Sequence, residues 1–188
     1  MTWQLDQTSL PRQGETENGD AVLAWTGAGV CVLAVVDALG HGPHAASAAR
    51  AAIDELRQFD ADAGLSTMMQ RLHERLRGTR GAAAFVAKLD VERIEACSVG
   101  NVEARSASGN LPVVLTPGVL GMRFKAPRIF RGTAKVGERL VVFTDGISSR
   151  FTTGVWREGP RDHLCKSIMA HYRRPHDDAT VVVADLEE

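Results

Sequence analysis

Apolar and polar positions along the first half of the chain predict a hairpin followed by two helices. Two apolar runs, 21–25 and 30–36, flank the glycine-rich segment 26–29, a pattern that is typical of a β-hairpin. Apolar side chains then recur at helical spacing over 44–59 and over 66–76. These two segments are therefore predicted to form amphipathic helices, each with one apolar face.

The second half of the chain is richer in strands. Further strands are predicted at 82–89, 93–99, 102–106, 112–115, 128–133, 139–144 and 180–186. A third helix is predicted over 161–172. Because strands outnumber helices and mostly follow one another, the predicted fold class is α+β with mostly antiparallel sheets. The length fits one domain and no linker divides the chain, so residues 1–188 are predicted to form a single domain.

Four aspartates lie at or close to the ends of predicted strands. Asp20 precedes the first apolar run, Asp37 follows the second, Asp145 follows strand 139–144, and Asp177 comes shortly before the last strand. A carboxylate beside a buried strand is costly unless something compensates its charge. We therefore expect these strand ends to converge on a shared cation.

The residue types favour a hard cation. Carboxylates and backbone carbonyls are the ligands of Mg²⁺ and Mn²⁺, whereas the chain has neither a cysteine cluster nor a paired-histidine motif for zinc. The small residues Ala38 and Gly146, which follow Asp37 and Asp145, leave room for a carbonyl to approach an ion. Two ions bridged by one aspartate would activate a water molecule and hold a phosphoryl group for in-line displacement.

Each motif taken alone also has a simpler interpretation. An aspartate after a strand is usually a turn or cap residue, and Thr144-Asp145-Gly146 fits an ordinary turn. The pair Asp177-Asp178 fits a solvated acidic pair before an edge strand. The order and the joint occurrence of all four motifs favour the cation site.

The four motifs together resemble those of the metal-dependent protein phosphatase (PPM) family. They are N-G-D-A, V-V-D-A-L-G-H-G, F-T-D-G-I and H-D-D-A-T-V-V-V, in that order. The chain is most similar to the compact bacterial branch with SpoIIE-type and RsbX-type serine phosphatases, and among these to the RsbX-like subgroup. The resemblance covers about 14–185.

This resemblance implies a four-layer αββα sandwich, with two mostly antiparallel sheets flanked by helices. It also implies two Mn²⁺ or Mg²⁺ ions at one end of the sandwich and hydrolysis of phosphoserine or phosphothreonine on a protein. Asp37 matches the bridging ligand, Asp145 and Asp177 match ligands of one ion, and Asp20 matches the acidic position of the first motif. Ala38 occupies the position whose carbonyl binds metal in the family.

The chain also departs from the family pattern. Ala38 replaces a glycine and would be strained if the backbone there needs a positive φ. The phosphate-clamping arginine has no counterpart in its usual position; Glu15 lies near it, and Arg12 is the nearest candidate. His41 is a candidate proton donor to the leaving oxygen, and a loop histidine that caps the next helix or packs locally is the alternative.

The composition of the chain limits the kinds of partner and the location that can be expected. The formal net charge of −1 and the scattered basic residues argue against nucleic acid, and no apolar run approaches the length of a membrane span. The three cysteines form no C-x-x-C pair and no signal sequence is visible, which favours a location in the reducing cytoplasm. A monomer is the expectation, because no heptad pattern or exposed apolar stripe stands out.

The sequence is compatible with three functions. The first is a metal-dependent serine/threonine phosphatase that uses metal-activated water; the resemblance implies phosphorylated STAS-domain proteins of stress signalling as its substrates. The second is a pseudophosphatase that binds a phosphoprotein without turnover, motivated by Ala38 and the missing arginine. The third is a hydrolase of a small phosphate ester.

Overall fold

The computed structural model describes residues 1–151 and 156–188, and within them two antiparallel sheets pack face to face. The strands are β1 (Thr2–Leu10), β2 (Asp20–Gly27), β3 (Val30–Ala38), β4 (Ala82–Leu89), β5 (Arg93–Val99), β6 (Glu103–Ser106), β7 (Phe130–Thr133), β8 (Arg139–Phe143) and β9 (Ala179–Glu187). One sheet has four strands in the order β1-β9-β8-β6, and the other has five in the order β2-β3-β4-β5-β7. The helices in the described part are α1 (Gly42–Leu56), α2 (Leu65–Arg75) and α3 (Arg161–Tyr172).

Strand β3 shows how the five-stranded sheet is buried on both faces. Val32, Ala34 and Val36 belong to the core that this sheet forms with α1 and α2. Leu33 and Val35 alternate with them and belong to the core between the two sheets. Because successive side chains of a strand point to opposite faces, this continuously apolar strand lies at the centre of the molecule.

Helix α3 covers the outer face of the four-stranded sheet. Leu164 and Ile168 pack with Val141, Phe143 and Val181 in a third core. The layers are therefore helices, sheet, sheet and helix, and the predicted α+β fold with its αββα sandwich is confirmed. Among the described residues, no helix combines the length and apolar character needed to cross a membrane.

Strand β1 was not predicted. It pairs along its whole length with β9 at the edge of the four-stranded sheet. Its polar sequence has few apolar positions, and the indole of Trp3 donates a hydrogen bond to the Asp90 carbonyl at 2.9 Å. An edge strand with one partner needs little apolar surface, so the pattern of the segment alone does not indicate a strand.

The predicted strand at 112–115 is wrong. These residues form no ladder; Pro112 lacks an amide hydrogen, and the Val113 amide donates to the Leu111 carbonyl two residues back. The segment instead crosses toward the end of β5, where the Thr116 amide donates to the Ser98 carbonyl at 3.0 Å.

Candidate active site

The β2–β3 hairpin places Asp20 directly opposite Asp37. The two residues are paired in the antiparallel register at the open end of the hairpin. Ala28 and Gly29 form the turn with φ of 50° and 80°, the left-handed conformation that tight hairpin turns require. Directly opposed residues project to the same face of a sheet, so the turn brings these two carboxylates together.

Asp20 connects the two sheets. The carboxylate is 7% exposed, and the Thr144 hydroxyl donates to its Oδ2 at 2.7 Å. The Thr180 amide in turn donates to Thr144 Oγ1 at 3.0 Å. Thr144 follows β8 and Thr180 lies in β9, so these bonds fix the end of the four-stranded sheet against the start of β2. Asp145, the next residue, is thereby held at the same end of the sandwich.

Asp145 is held in a turn with close backbone packing. A Cβ at Gly146 would overlap the Asp178 carbonyl oxygen, so only glycine allows this approach. Asn101 Nδ2 donates to Asp145 Oδ2 at 2.6 Å, and Arg174 Nη1 donates to the Asp145 carbonyl at 3.0 Å. The turn that precedes β6 and the loop that precedes β9 therefore both position this carboxylate.

Asp177 and Asp178 are neighbours with different surroundings. Asp178 is 3% exposed, and its two carboxylate oxygens accept the amide hydrogens of Arg12 at 2.7 Å and Gly19 at 2.8 Å. Asp177 is only half-buried and, among the described residues, accepts a single bond, from the Asp178 amide at 3.0 Å. Asp178 thus holds the segment before β2 in place, whereas Asp177 keeps oxygen lone pairs available.

Burial and mutual repulsion raise the pKa of three of these carboxyl groups. Burial raises the pKa of Asp20 to about 7, with smaller contributions from Asp178 and Asp145. The pKa of Asp37 is raised well above its ordinary value, first by burial and then by repulsion from Asp20, Asp145, Asp177 and Asp178. Burial and the charge of Asp177 raise the pKa of Asp145 as well. Carboxylates that meet at one end of the sandwich repel one another, and a bound cation would relieve this repulsion.

The donor set fits a hard divalent cation. Asp37 is half-buried and lies opposite a second carboxylate, and it accepts no side-chain hydrogen bond from the described residues. All the converging donors are oxygen atoms, and a buried carboxylate without a partner is costly unless an ion compensates it. The residues present therefore suit Mg²⁺ or Mn²⁺ and offer no sulfur ligand.

No three His, Cys, Asp or Glu side chains of the described residues are grouped closely enough to hold a metal ion by themselves. The carboxylates face one another from different strand ends instead. This arrangement suits ions that keep much of their water, since Mg²⁺ is usually held by one or two carboxylates with water filling the remaining positions.

Ala38 adds no backbone strain. Among the described residues, Ala28 is the one non-glycine residue with a positive φ, so the backbone at Ala38 is ordinary for an alanine. The Ala38 amide donates to the Gly19 carbonyl at 3.0 Å, which links the end of β3 to the start of β2. The concern that alanine distorts this position is therefore removed.

His41 lies between the carboxylate of Glu15 and the guanidinium of Arg12. The residue stands at the N-cap of α1, but its side chain makes no capping bond, so the capping alternative is wrong, whereas the ring does pack locally, against Glu15 and Arg12. Its Nδ1 lies 3.1 Å from Glu15 Oε1, and both of its ring nitrogens contact Arg12 Nη1. Arginine offers only donors and a carboxylate only acceptors, so the three groups are satisfied together when Nδ1–H donates to Glu15 and Nε2 accepts from Arg12. The structure thus gathers Arg12, Glu15 and His41 beside the aspartates.

Sequence reasoning anticipated the aspartates and His41 but missed the residues that hold them. The predicted residues Asp20, Asp37, Asp145 and Asp177 all lie at one end of the sandwich. The supporting roles of Asn101, Thr144 and Asp178 were not foreseen. Thr144 adjoins Asp145, so its hydroxyl was visible in the sequence; its bond to Asp20 was not.

Residues 27–187 match the family model described as Stage II sporulation protein E (SpoIIE). The chain belongs to the SpoIIE family. The matched segment contains Asp37, Ala38, Asp145 and Asp177, whereas Asp20 lies before it. The predicted membership in the compact bacterial phosphatase branch is thereby confirmed.

Individual relatives agree with this family. The phosphoserine phosphatase RsbX of Bacillus subtilis (strain 168) is 25% identical over 186 residues, covering 94% of this chain and 92% of RsbX. A solved chain from work on the bacterial stressosome, a modular system adapted to control secondary messenger signalling, is 33% identical; the match covers 98% of this chain and 100% of that chain with a TM-score of 0.90. The predicted enzyme class, a phosphatase, is confirmed.

Two metal-bound structures share the fold of this SpoIIE-family chain. RsbX in complex with magnesium has a TM-score of 0.84 at 23% identity, and the match covers 98% of this chain and 96% of that one. The catalytic domain of the serine/threonine phosphatase PstP with two manganese ions has a TM-score of 0.74 at 17% identity, covering 99% of each chain.

Proposed function

We propose that this chain is a Mn²⁺- or Mg²⁺-dependent serine/threonine phosphatase whose substrate is a phosphorylated STAS-domain protein of a stress-signalling assembly. The observation that carries this proposal is the register pair Asp20–Asp37, opposed by Asp145 and Asp177 from the other sheet. Four acidic side chains at one end of a sandwich repel one another, and a dinuclear cation site is the arrangement that compensates them.

The proposed ligands follow from the surroundings of each carboxylate. Asp37, which faces all the others, would bridge two ions; Asp145 and Asp177 would bind one of them, and Asp20 and the Ala38 carbonyl would complete the set. Asp177 is proposed as the ligand rather than Asp178, because each oxygen of Asp178 accepts a backbone amide that ties it to the segment before β2. Such ions supply a water nucleophile that is active at neutral pH and compensate the charge of the phosphoryl oxygens.

His41 is proposed to protonate the leaving serine or threonine oxygen. Glu15 orients the His41 ring through Nδ1, and the guanidinium of Arg12 contacts the ring nitrogens. Because Arg12 is always charged, a phosphate that enters the site would attract its guanidinium, and His41 would then be free to take up and donate a proton. Arg12 would in this way serve as the phosphate-binding arginine that the usual position lacks.

Replacing His41 with Ala is expected to lower kcat on a phosphoserine protein about 100-fold, because a serine alkoxide leaves poorly without a proton. An aryl phosphate, whose leaving group needs no proton, should lose less than about threefold by the same argument. The pH–rate profile of kcat on both substrates checks this expectation. Equal losses on the two substrates, or an unchanged profile on phosphoserine, would remove the proton-donor role.

The proposed substrate rests on the relatives. The most similar solved chain named above comes from stressosome work, and the curated relative is a phosphoserine phosphatase. Cys31, Cys97 and Cys165 are all buried free thiols, which agrees with the proposed cytoplasmic location. We further propose that the chain acts as a monomer.

The substrate class is tested by comparing kcat/KM on a phosphoserine STAS protein with kcat/KM on an aryl phosphate. The phosphoprotein should be preferred by at least about 100-fold, since contacts outside the phosphate contribute to transition-state binding. Equal values would favour the alternative of a small-ester hydrolase. Tight binding of the phosphoprotein without turnover would favour the pseudophosphatase.

A further inference from the structure

A basic pocket opens beside the aspartates. It has a volume of about 450 Å³ and is lined by residues 116–128, among them Arg123, Lys125 and Arg128. We use "basic pocket" for these three side chains with Thr116 and Gly118. All three cations are exposed, and no ion pair among the described residues includes any of them.

This local charge is unusual for the chain. The formal net charge is −1, yet the six residues from 123 to 128 carry three positive charges and no negative one. The four residues outside the described part, 152–155, contain no acidic side chain either. Three like charges around one concavity repel one another and attract an anion, so the pocket is suited to negatively charged groups.

Hydrogen bonds fix the pocket relative to the proposed catalytic site. The Gly100 amide donates to the Thr116 carbonyl at 2.9 Å, and the next residue, Asn101, holds Asp145. The end of β5, where Thr116 is attached, lies two strands from the end of β3, where Asp37 lies. Thr116 pairs with β5 on the side away from β4, one strand position further. Neighbouring strands are about 4.8 Å apart, which puts Thr116 about 14 Å from Asp37.

The other end of the pocket segment is anchored as well. Leu120 and Ala82 exchange hydrogen bonds at 3.1 and 2.8 Å, and Ala82 pairs with Ala38 in the sheet. The basic pocket is therefore built on the strand that adjoins the proposed metal ligands.

Two exposed apolar residues lie near the pocket segment. Met122 is 64% exposed and Leu39 is 38% exposed. Both contact the same residue: Met122 packs over Gly81, and the Leu39 amide donates to the Gly81 carbonyl at 3.0 Å. Apolar side chains next to unpaired cations suit a protein surface better than a small ester.

We propose that the basic pocket binds acidic side chains that flank the phosphoserine of the protein substrate. This inference rests on the proposed function and adds a substrate feature to it. An extended chain spans about 3.3 Å per residue, so a carboxylate about three to five residues from the phosphoserine would reach the pocket while the phosphate lies at the aspartates. The chemistry assigned to the pocket is recognition of glutamate or aspartate.

The test compares two phosphoserine peptides, one with glutamates and one with glutamines at the third to fifth positions on both sides. In the combined variant Arg123→Gln, Lys125→Gln and Arg128→Gln, kcat/KM for the glutamate peptide should fall about tenfold through KM, because each exposed ion pair contributes modestly. The glutamine peptide and an aryl phosphate should change less than twofold. The loss should shrink in high salt, which screens such pairs.

The matched control is the variant Arg93→Gln, Lys135→Gln and Arg157→Gln, which removes three exposed cations elsewhere. Its kcat/KM values should stay within twofold of those of the wild type. An equal loss in this control, or a glutamate preference that survives in the pocket variant, would overturn the proposal. A peptide with a second phosphoserine at the same positions that outperforms the glutamate peptide more than tenfold would overturn the carboxylate assignment.

The basic pocket can also be tested if the protein proves to have no phosphatase activity. Binding of the fluorescently labelled peptides without divalent ions, followed by anisotropy, requires no turnover. Tighter binding of the glutamate peptide that the pocket variant loses would support the pocket even in an inactive protein. Equal binding of both peptides by the wild type would overturn it whatever the activity.

Discussion

Replacing Asp37 with Asn is expected to lower kcat at least about 1,000-fold, on a phosphoserine protein and on an aryl phosphate alike. Asp37 is the carboxylate that all the other aspartates act upon, so its loss removes the proposed bridge between two ions. Asparagine keeps the size and one oxygen, which limits the change to charge. Steady-state phosphate release in saturating Mn²⁺ measures the effect.

The control for this variant is Asp162→Asn, which removes an exposed carboxylate from α3. Its kcat should stay within about twofold of the wild-type value, as is usual for surface substitutions. Retention of more than a tenth of the activity by the Asp37 variant would contradict the bridging role.

Metal-free protein is expected to lose stability as the pH rises from about 4 to about 8. Burial raises the folded-state pKa of Asp20 to about 7, above its ordinary value, so the folded state binds the proton more tightly than the unfolded state does. The stabilising proton is present at low pH and is lost as the pH rises through the folded pKa. A shift of about three units corresponds to on the order of 4 kcal/mol, and to a fall in Tm of about 10 °C.

The variant Asp20→Asn tests the cause of this pH dependence. Asparagine stays neutral and can still accept the Thr144 hydrogen bond, so in EDTA the decline in Tm between pH 5 and pH 8 should become markedly smaller. Added Mn²⁺ should raise the Tm of the wild type at pH 8 more than that of the variant, because ligand binding to the folded state stabilises it. Equal slopes for the two proteins in EDTA would contradict the assignment.

The aspartates could be placed at strand ends from the sequence, because each lies close to an apolar run long enough to indicate a strand. The strand boundaries place Asp37 and Asp145 at strand ends, and ends of antiparallel strands meet at the edges of a sheet. Helix α3 was predicted with its observed bounds, since its apolar spacing and the preceding Gly159-Pro160 mark both the helix and its start.

The contacts of Arg12 and Asp178 were not predictable in the same way. The bond between the Arg12 amide and Asp178 joins residues that are 166 positions apart. It depends on β1 pairing with β9, and β1 is a polar edge strand that the apolar pattern does not reveal. The surroundings of His41 follow from the same pairing, because Arg12 and Glu15 come directly after β1.

The geometry at Ala38 weakens the case for a pseudophosphatase. The backbone there needs no glycine, so the replacement leaves the carbonyl where a ligand is proposed. The remaining departure is the missing arginine, for which we propose Arg12 as the substitute; its guanidinium lies at His41. A protein that only bound phosphoproteins would have no need to place Asp37 opposite the buried Asp20.

Phosphate release from a phosphoserine STAS protein, measured across Mn²⁺ concentrations, tests the central claim most directly. A metal-dependent phosphatase should release no phosphate in EDTA, regain saturable activity with Mn²⁺ or Mg²⁺, and show no such recovery in the Asp37→Asn variant. Release that persists without divalent ions, or tight binding of the phosphoprotein with no turnover at any Mn²⁺ concentration, would contradict it.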